Sequence, residues 1–219
     1  MITDITGRIY NGMWNYGIPF PTFNKKPINQ PDWVPYKVVA DIFDGLHSQT
    51  GTYFETPGHF PSAGFTYCVD DIPFEQLIDI PVHVLHLPRQ YPTSHRSPIT
   101  KEDIEIAIIG QIPPGEALLI NAGWGKFWHA DFYLESPYFS YDAFMLLLEL
   151  KPRLLGTDFP RWENLEHMQH IFPPFYAQDI WMLAPVVNLD RIEAKGLLSV
   201  LPLPVSQSCC VPCRAFIRH

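Results

Sequence analysis

The chain has 219 residues, 47% of them hydrophobic, enough for one substantial core and short for two. Its net charge is −8, and its 15 Lys and Arg are scattered, which argues against nucleic acid and for a small-molecule partner. No apolar run approaches the roughly 20 residues of a bilayer span, and no basic-then-apolar leader opens the N-terminus, so no membrane partner and a cytoplasmic location are expected.

Taken in order, Ile2 to Ile5 is expected to form a first short strand, followed by a Gly- and Pro-punctuated loop from Gly7 to Pro21 that carries Met13, Trp14, Tyr16 and Phe20. Pro27 to Pro35 continues as connection, and Lys37 to Phe43 is a second strand. From Ser48 an extended segment runs to a tight turn at Pro57-Gly58. Alternation puts Gln49, Gly51, Tyr53 and Glu55 on one face and Thr50, Thr52 and Phe54 on the other. That polar row faces either water or a site. Phe65 to Val69 is expected as a strand, Pro73 to Leu77 as one helical turn, and Ile78 to Leu87 as a strongly apolar strand. His83 and His86 on it are read as plain strand residues.

Thr100-Lys101-Glu102-Asp103 has the form of an N-cap followed by an acid three positions on, and it opens a helix over Ile104 to Gly110. Ala117 to Asn121 is a buried strand, and Gly123 to Trp128 a glycine and aromatic loop. Ser140 caps a helix reaching Leu150, and Leu154 to Asp158 is a strand ending in an acid. Leu165 to Ile171 is expected to be helical, with His167 and His170 on one face. Strands follow at Ile180 to Leu189, Leu197 to Val205 and Val211 to Ile217. There is no repeat and no linker, so residues 1–219 read as one mixed α/β domain whose 23 prolines make stiff turns between short strands.

Phosphate loops, dinucleotide fingerprints and Gly-x-Ser-x-Gly elbows are absent from the sequence. Cys210-Val211-Pro212-Cys213 has the spacing of a metal or redox pair but no second pair, and Cys68, Cys209, Cys210 and Cys213 are read as structural thiols. The chemistry-bearing group that remains is Gln49, Tyr53, Glu55 and His59, with Asp158, His167 and His170.

Gln49-Thr50-Gly51-Thr52-Tyr53-Phe54-Glu55-Thr56-Pro57-Gly58-His59 resembles the signature His-x-Gly-Thr-His-x-Asp-x-Pro-x-His of the cyclase family of metal-dependent hydrolases, which includes bacterial kynurenine formamidases and isatin hydrolases. The likeness extends along the chain. Ile2 to Thr6, the loop Trp14-Asn15-Tyr16-Gly17-Ile18-Pro19, Ile99 to Asp103, Pro114 to Ile120, Leu155 to Asp158, Asn188-Leu189-Asp190 and Pro212 to Ala215 resemble further family segments.

The resemblance implies a β/β/α fold assembled as a homodimer or homotetramer, and hydrolysis of an amide or lactam carbonyl assisted by Zn or Mn. It places the proton shuttle at His59, with Glu55 as ligand or base, and the substrate-facing aromatic at Trp14, with Tyr16, Trp124 and Trp128 as further walls. The family's first two ligand histidines fall at Gln49 and Tyr53, its bridging Asp at Glu55, a later His at His170 or His167, and its final Glu at Ala184. Neutral Gln and a phenol with a reference pKa near 10 are poor donors, so these substitutions imply one altered metal site, built on Glu55 with His170 and Gln49 and completed by water or His47, or a metal-free pocket in which Tyr53 and Glu55 hydrogen-bond each other and fill the metal space. The expected activity is arylformamidase-like hydrolysis of a C–N bond other than a peptide bond. The alternative is a noncatalytic family scaffold that binds a small molecule or serves assembly.

Overall fold

In the computed structural model, which describes residues 1–17 and 19–219, apolar alternation along short strands builds two cores on either side of one sheet. The strands are β1 Ile2–Asp4, β2 Asn24–Ile28, β3 Ala40–Asp44, β4 Tyr53–Glu55, β5 Ile80–His86, β6 Pro98–Ile99, β7 Ala117–Asn121, β8 Tyr138–Phe139, β9 Leu154–Thr157, β10 Trp181–Ala184, β11 Lys195–Pro202 and β12 Cys210–Arg218. The helices are α1 Lys101–Ala107, α2 Tyr141–Glu149 and α3 Phe172–Tyr176. Ile18, within the aromatic loop motif, lies outside the described residues.

Eight strands form the main sheet in the order β1-β12-β11-β5-β7-β9-β10-β4. β4 also pairs with β12, so the sheet curls back on itself like a barrel. Its β5, β7, β9 and β10 are parallel, and the remaining pairings are antiparallel. β4 is short and lies between β10 and the start of β12, which places the ends of three strands around its side chains.

Period-two geometry then sorts the residues. Phe54, Leu119, Leu183 and Val211 point into one core, while Tyr53, Leu118, Ile120, Met182, Ala184 and Cys210 point into the other, against the three helices. α1 opens with a capping box between Thr100 and Asp103, and Ser140 caps α2 through the Ala143 amide. The result is one mixed α/β domain of the β/β/α type, and no helix of the described residues is long and apolar enough to cross a membrane.

Four expected elements differ. The extended segment expected from Ser48 is turn and bend as far as Thr52, and only Tyr53–Glu55 is strand. Phe65 to Val69 is not a strand; only Val69 makes a ladder-like bond, to the Ser208 carbonyl, before the turn Val69–Asp71 begins. Pro27 to Ile28 belongs to β2, which pairs with β3 as an exposed hairpin. Leu165 to Ile171 is not helical. There the Asn164 carboxamide accepts from the Glu166 and His167 amides, the Gln169 side chain ties to Asn164 and Phe139, and His170 has φ +57, so side-chain bonds displace the helical ones. The helix starts after them, at Phe172.

Candidate active site

The approach to β4 is fixed by threonine hydroxyls. His47 donates its amide to Thr50 Oγ1, and Thr52 Oγ1 accepts from the Gly7 amide and donates to the Pro185 carbonyl. Gly51 between them has φ +73, a left-handed conformation that a side chain would disfavour. Beyond β4, the Thr56 amide donates to the Cys209 carbonyl, and Pro57–His59 forms a 3-10 turn that curls His59 back over Glu55. Gly58 is required there, because a Cβ would sit 2.6 Å from the Tyr67 carbonyl oxygen and 2.8 Å from Cys209 Sγ.

Glu55 is 1% exposed, so the polar row does not face water. Its carboxylate accepts from Gln49 Nε2 at 2.8 Å and Cys210 Sγ at 3.3 Å on Oε1, and from the Tyr176 hydroxyl at 2.6 Å on Oε2. Burial, and then the Glu55 charge, push the Tyr176 phenol and the Cys210 thiol well up, so both remain protonated donors. His59 Nε2 stands 3.7 Å from Glu55 Oε1, and its side chain is 40% exposed. A buried charge is thereby satisfied by neutral donors, with one solvent-reachable imidazole beside it.

Around this group stands an aromatic wall. Tyr53 bonds through its hydroxyl to that of Tyr16 at 3.2 Å, and Tyr16 donates to the Pro160 carbonyl. Burial pushes both phenols up. Trp14 packs edge-on to Tyr16 and Trp128, and its indole N–H is buried with no hydrogen-bond partner among the described residues. Phe60 stacks on Tyr176 at 5.5 Å.

Other residues singled out from the sequence lie elsewhere. Trp124 is core-packed against Phe127 and Phe132, with its N–H spent on the Tyr133 carbonyl, and does not join Trp14 and Tyr16. Asp158 is a loop clamp: buried, it accepts from the Ala122, Trp124 and Gly125 amides, and desolvation, opposed by those bonds, raises its pKa to about 6. His167 and His170 sit on an exposed loop, and His170 joins no cluster of ligand atoms with Glu55 among the described residues. His47 stacks on Phe20, and its Nδ1 accepts from the Gln49 amide.

Tyr176 and Cys210 were not among the expected site residues. Tyr176 carries no local signal. Nor does Cys210: three positions apart on a strand, Cys210 and Cys213 point to opposite faces and cannot act as a pair, but only the pairing of β12 with β4 sets Cys210 opposite Glu55.

One group of donors here is consistent with a divalent ion. Atoms of Glu55, His59 and Cys210 lie within 4.8 Å of one another, a carboxylate, imidazole and thiol set of the count usual for catalytic zinc. At two of the positions to which the family resemblance assigns ligands stand the Tyr53 phenol, bonded to Tyr16, and the methyl group of Ala184.

Residues 3–164 match the Cyclase family model, described as Putative cyclase. A search of curated proteins gave no match. Among solved structures, an isatin hydrolase bound to the product analogue thioisatinate superposes with TM-score 0.80 at 22% identity, covering 99% of this chain and 91% of that one. Isatin hydrolase A from Labrenzia aggregata, bound to benzyl benzoate, gives 0.78 at 23%, with 99% and 93% covered. A predicted metal-dependent hydrolase from Bacillus stearothermophilus gives 0.74 at 21%, with 99% and 97% covered. At these identities the likeness establishes the fold.

Proposed function

Because the chain belongs to the Cyclase family, we propose that it is a hydrolase acting on an amide, lactam or related carbonyl of a small aromatic molecule at the Glu55 site. The observation that carries this reading is the half-exposed His59 imidazole held 3.7 Å from a fully buried carboxylate. In this arrangement His59 takes a proton from water as it adds to the carbonyl and returns it to the departing nitrogen, while Glu55 stabilises the imidazolium formed between the two steps. The Trp14 N–H, which has no partner among the described residues, is a donor for a substrate oxygen. Leaving it unsatisfied costs about 1–3 kcal/mol, which a bound acceptor recovers.

A divalent ion, Zn or Mn, would be held by Glu55, His59 and Cys210 and would supply Lewis acidity toward the carbonyl. As a ligand His59 could not also carry the proton, so metal content separates the two uses. Elemental analysis of protein purified with and without added Zn or Mn, with Glu55→Gln and Cys210→Ser alongside, tests this. One ion per chain, lost in both variants, supports the ligand set. Turnover of formyl-anilides or aryl lactams without bound metal supports His59 as the proton carrier, and absence of turnover under every metal condition refutes the hydrolase reading.

A second reading is favoured by one observation, the Tyr53–Tyr16 hydroxyl contact filling the space beside Ala184: a binding scaffold without turnover. Retained affinity for an aromatic amide with no hydrolysis would select it. For assembly we infer a homodimer or homotetramer, supported by the β2–β3 hairpin, in whose connecting loop Trp33 and Val39 are 81% and 84% exposed.

A further inference from the structure

Outside the Glu55 group two free thiols lie side by side. Cys68, which leads into the turn Val69–Asp71, and Cys209, directly before β12, are 141 residues apart in sequence, and their sulfurs are 3.1 Å apart. Both are free and half-buried, so a small reagent can reach them. Their segments are held together by the backbone. The Val69 amide donates to the Ser208 carbonyl, and Thr56 bridges the two, its amide to the Cys209 carbonyl and its hydroxyl to the Tyr67 carbonyl. The Cys68 amide is further fixed on Asp71 Oδ2 at 2.7 Å.

A disulfide has sulfurs about 2.05 Å apart, so closure needs an approach of only about 1 Å. Cys210 and Cys213 do not compete, because they face opposite cores and Cys210 is engaged with Glu55.

We propose that Cys68 and Cys209 are a reversible redox-modification site, closing to an intramolecular disulfide that acts on the turn carrying His59. The oxidant is a low-molecular-weight disulfide. One protein thiolate attacks a sulfur of the reagent, forming a mixed disulfide and releasing one small thiol. The second thiolate then attacks the protein sulfur, releasing the other small thiol, so two electrons pass to the reagent and the two protein S–H protons end on the released thiols.

The coupling to the site is steric. Cys209 Sγ packs directly against Gly58, where there is no room even for a Cβ, and the next residue, Cys210, hydrogen-bonds Glu55. Pulling Cys209 Sγ toward Cys68 therefore shifts the backing of Pro57–His59 relative to Glu55. This proposal does not depend on the hydrolase reading.

The test treats the folded full chain with oxidised glutathione, then counts free thiols in denaturant, maps disulfide peptides and compares the NMR signals of the His59 ring in reduced and oxidised protein at one fixed pH. The expected result is a fall from four free thiols to two, a single Cys68–Cys209 peptide link, its loss in Cys68→Ser and in Cys209→Ser but not in Cys213→Ser, and displaced His59 ring signals in the oxidised form. Four remaining thiols, a glutathione adduct that stays on one cysteine, or a link involving Cys210 or Cys213 would overturn the pairing. Unmoved His59 ring signals in fully linked protein would overturn the coupling.

Discussion

Ala184 stands directly opposite Tyr53 in the antiparallel β4–β10 ladder, and both side chains face the helical core. The small residue leaves room for the tyrosine ring, whose hydroxyl reaches Tyr16. Tyr53→Phe removes one buried hydrogen bond while Tyr16 keeps the Pro160 carbonyl, so a loss of about 1 kcal/mol in urea unfolding is expected. A neutral or stabilising substitution would show that the hydroxyl pair does not hold the wall in place.

Glu55 is the acceptor for three donors from three separate segments. Glu55→Ala strands Gln49, Tyr176 and Cys210 in a buried space and is expected to cost about 3 kcal/mol or more. Glu55→Gln keeps the shape and an acceptor oxygen, so it should cost less. Equal losses in the two variants by chemical denaturation would contradict the hydrogen-bonded account.

The fold was legible where local pattern decides it. The apolar runs of β5, β7 and β9, the Thr100–Asp103 capping box and the Ser140 cap of α2 are all visible in sequence. So was the common facing of Tyr53 and Glu55, a consequence of strand alternation. What was not legible comes from distance along the chain. Tyr176 and Cys210 reach Glu55 from 121 and 155 residues away, and only the closure of the sheet brings them there. The 165–171 stretch shows the opposite failure: its composition suits a helix, but the Asn164 and Gln169 side chains take the backbone partners.

Asp158 gives a pH signature of its own. Its folded pKa is raised from the ordinary 3.8 to about 6, chiefly by burial. The folded state therefore holds this proton more tightly than the unfolded chain, and its contribution to stability falls as pH rises from about 4 to about 6. Wild type minus Asp158→Asn, measured by urea unfolding at several pH values, should decline across that window. A difference that rises through it would contradict the assignment.

Assembly through the β2–β3 hairpin predicts that Trp33→Asp combined with Val39→Asp lowers the mass seen by light scattering without changing the circular dichroism. An unchanged mass would place the interface elsewhere or show a monomer.

The most direct test of the Glu55–His59 account is turnover of formyl-anilides and aryl lactams by wild type and His59→Ala, each with and without added Zn or Mn. The account predicts measurable hydrolysis by wild type and a loss of at least about a hundredfold in the folded variant. No hydrolysis by wild type under any of these conditions, or equal rates in the two proteins, would contradict it.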